Sequence, residues 1–204
     1  MDTIELKTYE LSNDSNDLKP YRTISFISHI KNILNPFKSK SLANKSPLTF
    51  VEYYINGKTL SEVLNHLNEQ PENLLNNWIG ALGSFKPSQH EINHLKRLML
   101  QPLSNAEIRS VFPSNSDYKT LENGLVRYQE ELDDDDILLY VCKECGDYAC
   151  NGIKVNISEE NDCIIWQLKN SANGLKFKFD KIQYLTVFES YLNDLMMKTQ
   201  KRKH

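Results

Sequence analysis

The sharpest chemical signal in the chain is His90-Glu91-Ile92-Asn93-His94. Two histidines four residues apart on a helix can share a metal ion. A glutamate between them can activate a metal-bound water, which is the chemistry of a zinc-dependent hydrolase. Three features weigh against that reading. Ser88-Gln89-His90-Glu91 reads as a capping box, which spends Glu91 on a helix start. Helical spacing sets His90 and His94 roughly opposite the apolar face of Leu95, Leu98 and Met99, and so toward solvent. No third ligand follows at a recognisable spacing, and the longer zinc-protease pattern needs a glycine where Arg97 stands.

Cysteines form the second signal. In Cys142-Lys143-Glu144-Cys145-Gly146 a tight turn can present two thiolates to zinc, with the glycine relieving the backbone. A structural zinc site wants a second compact pair, and Cys150 and Cys163 match no common spacing. The apolar strand before the turn suits small thiols packed beneath it. Buried cysteines are therefore the expectation, and a zinc-stabilised adaptor is the alternative. A redox pair needs a helix to begin at the first cysteine, whereas Gly146-Asp147 makes a turn.

The third signal is acidic: Glu130, Glu131, Asp133, Asp134, Asp135 and Asp136 fall within seven residues. Such a run is ordinarily a solvated loop. Its functional reading is a docking surface for a basic protein partner. Crowded carboxylates repel one another in the free protein and gain when lysine or arginine opposes them. The chain has seven glycines, no phosphate-cradling loop and no G-x-S-x-G elbow, so neither a cofactor nor a catalytic nucleophile is expected.

The elements that must position these residues follow from patterning. At 204 residues, with 40% hydrophobic and 25% charged residues, the chain can bury a core without disulfides. A net charge of −3 gives no bulk attraction to nucleic acid or to an anionic membrane. No apolar run reaches the length of a membrane span, and the polar start lacks the features of a signal peptide, so the cytosol is the expected location. Residues 1–46 read as an extension: a polar loop over 11–17, a short amphipathic helix over 23–34, and a Lys/Ser/Asn-rich linker over 38–47.

Residues 47–204 read as one α+β domain. A strand over 50–55 ends at Asn56-Gly57, and a capping box over Thr59-Leu60-Ser61-Glu62 opens a helix with Leu60, Val63, Leu64 and Leu67 on one face. A second helix carries Ile92, Leu95, Leu98 and Met99. Strands follow over 137–141, 153–157, 163–166 and 175–179, the last two forming a hairpin across Asn173-Gly174. Asp180 caps a long final helix whose buried face is Tyr184, Leu185, Phe188, Tyr191, Leu192 and Leu195. Strands without regular βαβ alternation predict a mainly antiparallel sheet in the C-terminal half, packed with helices.

From Tyr54 onward the chain resembles a widespread group of uncharacterised bacterial proteins. The resemblance rests on Ile55-Asn56-Gly57-Lys58-Thr59-Leu60, on Cys142-Lys-Glu-Cys145-Gly146-Asp147-Tyr-Ala-Cys150, on Ile165-Trp166 and on Phe177-Lys-Phe179-Asp180-Lys-Ile-Gln183-Tyr184. One departure is Ala149, where the group has a glycine before its last clustered cysteine. The resemblance carries over no catalytic residues. It implies an immunity-type protein, one that binds and neutralises a cognate bacterial toxin without catalysis of its own.

Overall fold

The computed structural model describes residues 1–11, 48–67, 78–83, 88–112, 118–142, 152–169 and 174–201. Among these the chain runs β1 (Ile4–Leu11), β2 (Leu48–Ile55), β3 (Lys58–Thr59), α1 (Leu60–Leu67), β4 (Trp78–Gly80), α2 (Gln89–Leu98) and α3 (Asn105–Arg109). It continues through α4 (Tyr118–Asp133), β5 (Asp136–Cys142), β6 (Ile153–Glu160), β7 (Cys163–Leu168), β8 (Lys176–Asp180) and α5 (Lys181–Lys201). The fold is α+β. A five-stranded antiparallel sheet, β4-β5-β6-β7-β8, occupies the C-terminal half, and β1-β2-β3 form a second, smaller sheet.

Two-residue turns set two of the hairpins. Asn56 and Gly57 both take positive φ, the geometry that matches strand twist between β2 and β3, and Asn161 and Asp162 do the same between β6 and β7. Among the described residues, main-chain hydrogen bonds join the two sheets at two places. The Asp2 amide donates to the Lys178 carbonyl at 2.8 Å, and the Lys178 amide donates back to the Asp2 carboxylate at 2.8 Å. At the other end the Val51 amide donates to the Leu82 carbonyl at 2.8 Å. There Gly80 lies so close that a Cβ would fall 1.9 Å from the Val51 carbonyl oxygen.

Capping follows the sequence at two helices. The Thr59 hydroxyl accepts the Glu62 amide and the Glu62 carboxylate accepts the Thr59 amide, which opens α1. The Asp180 carboxylate accepts the Gln183 amide at 2.9 Å, which opens α5. Tyr184, Phe188 and Leu195 of α5 are buried, with Leu185, Tyr191 and Leu192 packed against the core. At the centre the Trp166 ring meets those of Tyr53, Phe179, Tyr184 and Phe188, with centroids 5.5–6.4 Å apart.

The reading of residues 1–46 as an extension is corrected at its start. Residues 4–11 form β1, paired antiparallel with β2 from Ile4↔Ile55 to Leu11↔Leu48, and Ile4 lies in the core. Ile4 and Leu6 pack inward while Glu5 and Lys7 are exposed, an alternation too short to stand out beside the polar stretch that follows. The expected loop beyond Leu11, the helix over 23–34 and the linker over 38–47 lie outside the described residues.

Candidate functional site

Helix α2 holds the His-Glu-x-x-His segment, and its surroundings differ from the sequence expectation. The Ser88 hydroxyl accepts the Glu91 amide at 3.3 Å, as an N-cap should. The Glu91 carboxylate goes elsewhere. Its Oε1 accepts the Gly83 amide at 2.7 Å and the Tyr191 hydroxyl at 3.2 Å, so it ties α2 to α5 and to the segment after β4. Glu91 is 7% exposed, and burial pushes its carboxyl above the ordinary range despite those donors.

His94 is 3% exposed and does not point to solvent. Helix α2 is buried on more than one face. Asn93 is also buried, its amide donating to the Glu107 carbonyl at 3.0 Å and to the Tyr128 hydroxyl at 3.1 Å. A helix enclosed on several sides makes one apolar stripe a poor guide to which residues are inside. Burial lowers the His94 imidazole to about 3, so it is neutral at physiological pH. His90 packs on Tyr128, ring centroids 5.2 Å apart, with its Nε2 3.7 Å from Glu131. The Glu91 carboxylate is thus held toward α5 while His90 is held toward α4. Among the described residues no group of three or more His, Cys, Asp or Glu side chains is placed to hold a metal.

The acidic run does not form a loop throughout. Glu130, Glu131 and Asp133 belong to the last turn of α4, Asp134 and Asp135 link the elements, and Asp136 begins β5. The run therefore divides. Glu131 sits between His90 at 3.7 Å and Arg97 at 3.6 Å. Burial would push its carboxyl up, but His90 foremost, with His94 and Arg97, outweighs that and holds it below the ordinary range. Asp134 accepts Lys154 at 2.6 Å and the Asp136 amide at 3.1 Å, and Lys154 chiefly holds its carboxyl low. Arg97 donates to the Asp134 carbonyl at 2.8 Å, and Asp136 lies 3.5 Å from Lys169. These three carboxylates serve the fold.

Glu130, Asp133 and Asp135 are exposed. Asp133 accepts only the Gln129 side-chain amide at 2.8 Å, and among the described residues the carboxylates of Glu130 and Asp135 have neither a hydrogen bond nor an ion pair. Glu130 and Asp133 share an outward ridge of α4 with Glu122, Val126 and Gln129, because spacings of three and four residues stack on a helix. Val126 stands in that ridge 54% exposed. Beside it runs an open groove of about 350 Å³ lined by Ile108, Leu125 and Val126 together with Asn105, Arg109 and Gln129.

A second groove, of about 370 Å³, lies at the end of α4, where Leu100, Leu132, Ile137 and Ile157 meet Arg97, Asp134, Asp135 and Asn156. Leu100 closes α2 in the left-handed conformation, φ 57°. Its amide donates to the Arg97 carbonyl and the Gln101 amide to the Lys96 carbonyl, the paired bonds of a Schellman ending that ordinarily uses glycine. The leucine there is 41% exposed.

Sequence reasoning missed α3 and α4, and with them the ridge. For α3 a signal stood in the sequence: Ser104 and Glu107 form the reciprocal capping box expected instead at Ser88 and Glu91. Of the cysteines, Cys142 ends β5 half-buried and Cys163 begins β7 fully buried, while Cys145 and Cys150 lie outside the described residues. Set against models of protein families, curated proteins and solved structures, the chain matches none.

Proposed function

We propose that this chain is an immunity-type protein of the bacterial cytosol that binds a basic protein partner, a cognate toxin, and neutralises it without catalysis of its own. The observation that carries the reading is the α4 ridge. Exposed carboxylates Glu130 and Asp133 flank the exposed apolar Val126 beside a groove floored by Ile108 and Leu125. An apolar anchor within a polar, charged rim is the anatomy of a protein-binding surface. The rim charges speed encounter with a partner of opposite sign, and the groove receives an apolar side chain. Glu91 and His94, the residues with the most reactive chemistry, are closed from solvent and committed to packing, which favours binding over catalysis.

The test is association with any toxin encoded beside this gene, measured by stopped flow at low and high salt. Combined Glu130→Gln, Asp133→Asn and Asp135→Asn changes slow association and flatten its salt dependence, while Val126→Asp speeds dissociation. Rates identical to the parent in both variants would remove the ridge from the interface.

A further inference from the structure

Glu52 is 1% exposed in the middle of β2. Its Oε1 accepts the hydroxyl of Tyr140, from β5, in a close contact, and the amide of Ser61, in the first turn of α1, at 3.4 Å. One carboxyl therefore ties three elements and helps to join the two sheets. Its Oε2 is buried too and has no hydrogen-bond partner among the described residues. Tyr140 reaches it from β5, and Lys7 and Tyr9 of β1 share its face of the strand pair, while Tyr53, the next residue of its own strand, offers it main chain only. Lys7, directly across the strand pair, is the only cation among them. Its ammonium lies over the Tyr54 ring, 3.8 Å from the centroid, and 3.4 Å from Glu5. At the start of α1 the Ser61 hydroxyl donates to that of Thr59 at 3.1 Å, and the exposed Glu62 carboxylate is spent on the Thr59 amide.

We propose that Glu52 is a proton-held latch: as a carboxylic acid it fastens α1 and β5 to β2, and on releasing its proton to solvent it loosens that junction. The reason is the cost of a charge on Oε2. A buried oxygen with no donor is tolerable when neutral and far more costly when it carries half of a carboxylate charge. Burial is accordingly the largest influence on this group and raises its proton affinity above the ordinary 4.5, although Tyr140 and Ser61 pull the other way. The sign follows. A carboxyl whose folded-state value is raised contributes stability fully present below 4.5 and lost as pH rises through the raised value. The weakening is local to the junction of β2, α1 and β5, because that is where the unpartnered oxygen sits.

Carbon-detected titration of the Glu52 carboxyl in the full chain, with amide exchange at Ser61 and Glu62, tests this. Glu52→Gln is the comparison, since it keeps the shape and the acceptor for Tyr140 and Ser61 but cannot ionise. The carboxyl titrates above its ordinary value. Relative to Glu52→Gln at the same pH, the parent loses protection at Ser61 by up to about tenfold per pH unit across the window, while amides of α5 do not change. A Glu52 midpoint at or below the ordinary value overturns the proposal. So does a protection ratio that is equal at about pH 5 and about pH 8. Should Glu52→Gln not fold, the midpoint alone decides.

Discussion

Trp166 donates its indole N–H to the hydroxyl of Tyr184 at 3.0 Å, and Tyr184 donates in turn to the Leu98 carbonyl at 2.7 Å. Both side chains are fully buried, so one hydroxyl satisfies groups on β7, α5 and the end of α2. Tyr184→Phe leaves a buried indole donor and a buried carbonyl without a partner. It costs about 2–4 kcal/mol, read as a lower denaturant midpoint at unchanged slope. Phe188→Ala, one turn along the same face, costs about 3–5 kcal/mol through the cavity it opens. A loss under about half a kcal/mol at either position would mean that α5 is peripheral.

His94 sets an acid limit. Its folded-state value is depressed to about 3 while the unfolded chain takes up the proton at the ordinary 6.5. Its contribution is therefore fully present above 6.5 and lost as pH falls toward 3. A His94→Gln variant carries no such loss. The stability difference between parent and variant moves in the variant's favour on acidification, by on the order of 4 kcal/mol across the window. Urea melts at intervals of pH measure it, and parallel curves for the two proteins would contradict the burial of this imidazole.

Gly80 tests the meeting of the sheets. A methyl at Gly80 lands 1.9 Å from a backbone oxygen of β2, and no rotamer change relieves a clash with main chain. Gly80→Ala destabilises by about 3 kcal/mol. Gly57→Ala, where nothing lies within 4 Å of the new methyl and only the positive φ is strained, costs about 1 kcal/mol. Melting the two side by side separates contact from conformation.

The acidic run predicts a division of labour. Asp134→Asn removes the partner of Lys154, a half-exposed pair, and lowers stability by about 0.5–1 kcal/mol. Glu130→Gln leaves stability within about half a kcal/mol and acts only on association. Thermal melts and binding rates on both single variants show whether the two effects separate in this way.

Much of the fold was legible because its signals are local. The Asn56-Gly57 turn, the Thr59 box, strands β5 to β8 and the aromatic face of α5 each declare themselves within a dozen residues. What was not legible depends on distant partners. Strand β1 becomes a strand by pairing with β2, and the Glu91 carboxylate, though its amide stays on Ser88, turns to Gly83 and Tyr191, which offer it bonds once burial has removed water. The acidic run looked uniform because sequence alone does not show that Arg97, Lys154 and Lys169 approach one half of it. Helix α4 offered only a weak apolar stripe, with Gly124 and Tyr128 turned inward and Val126 left outside.

The bond between Lys178 and Asp2 spans 176 residues of sequence. On a ribosome, β1 emerges long before β8, so the two sheets cannot be stapled at this point until the chain between them has been made. Until then β1 pairs with β2 alone, and the small sheet has the two-residue β3, α1 and the Val51–Leu82 bond for support, little more than a ribbon that is marginal in water. The long closure makes the staple a late event in folding and a slow one, since distant contacts are rewarded only after their entropy has been lost. A nascent chain stalled before β8 would carry an unfinished sheet edge at each end, and such edges recruit strands from neighbouring chains. The time between the synthesis of β1 and that of β8 is thus the interval in which this fold is most exposed to aggregation.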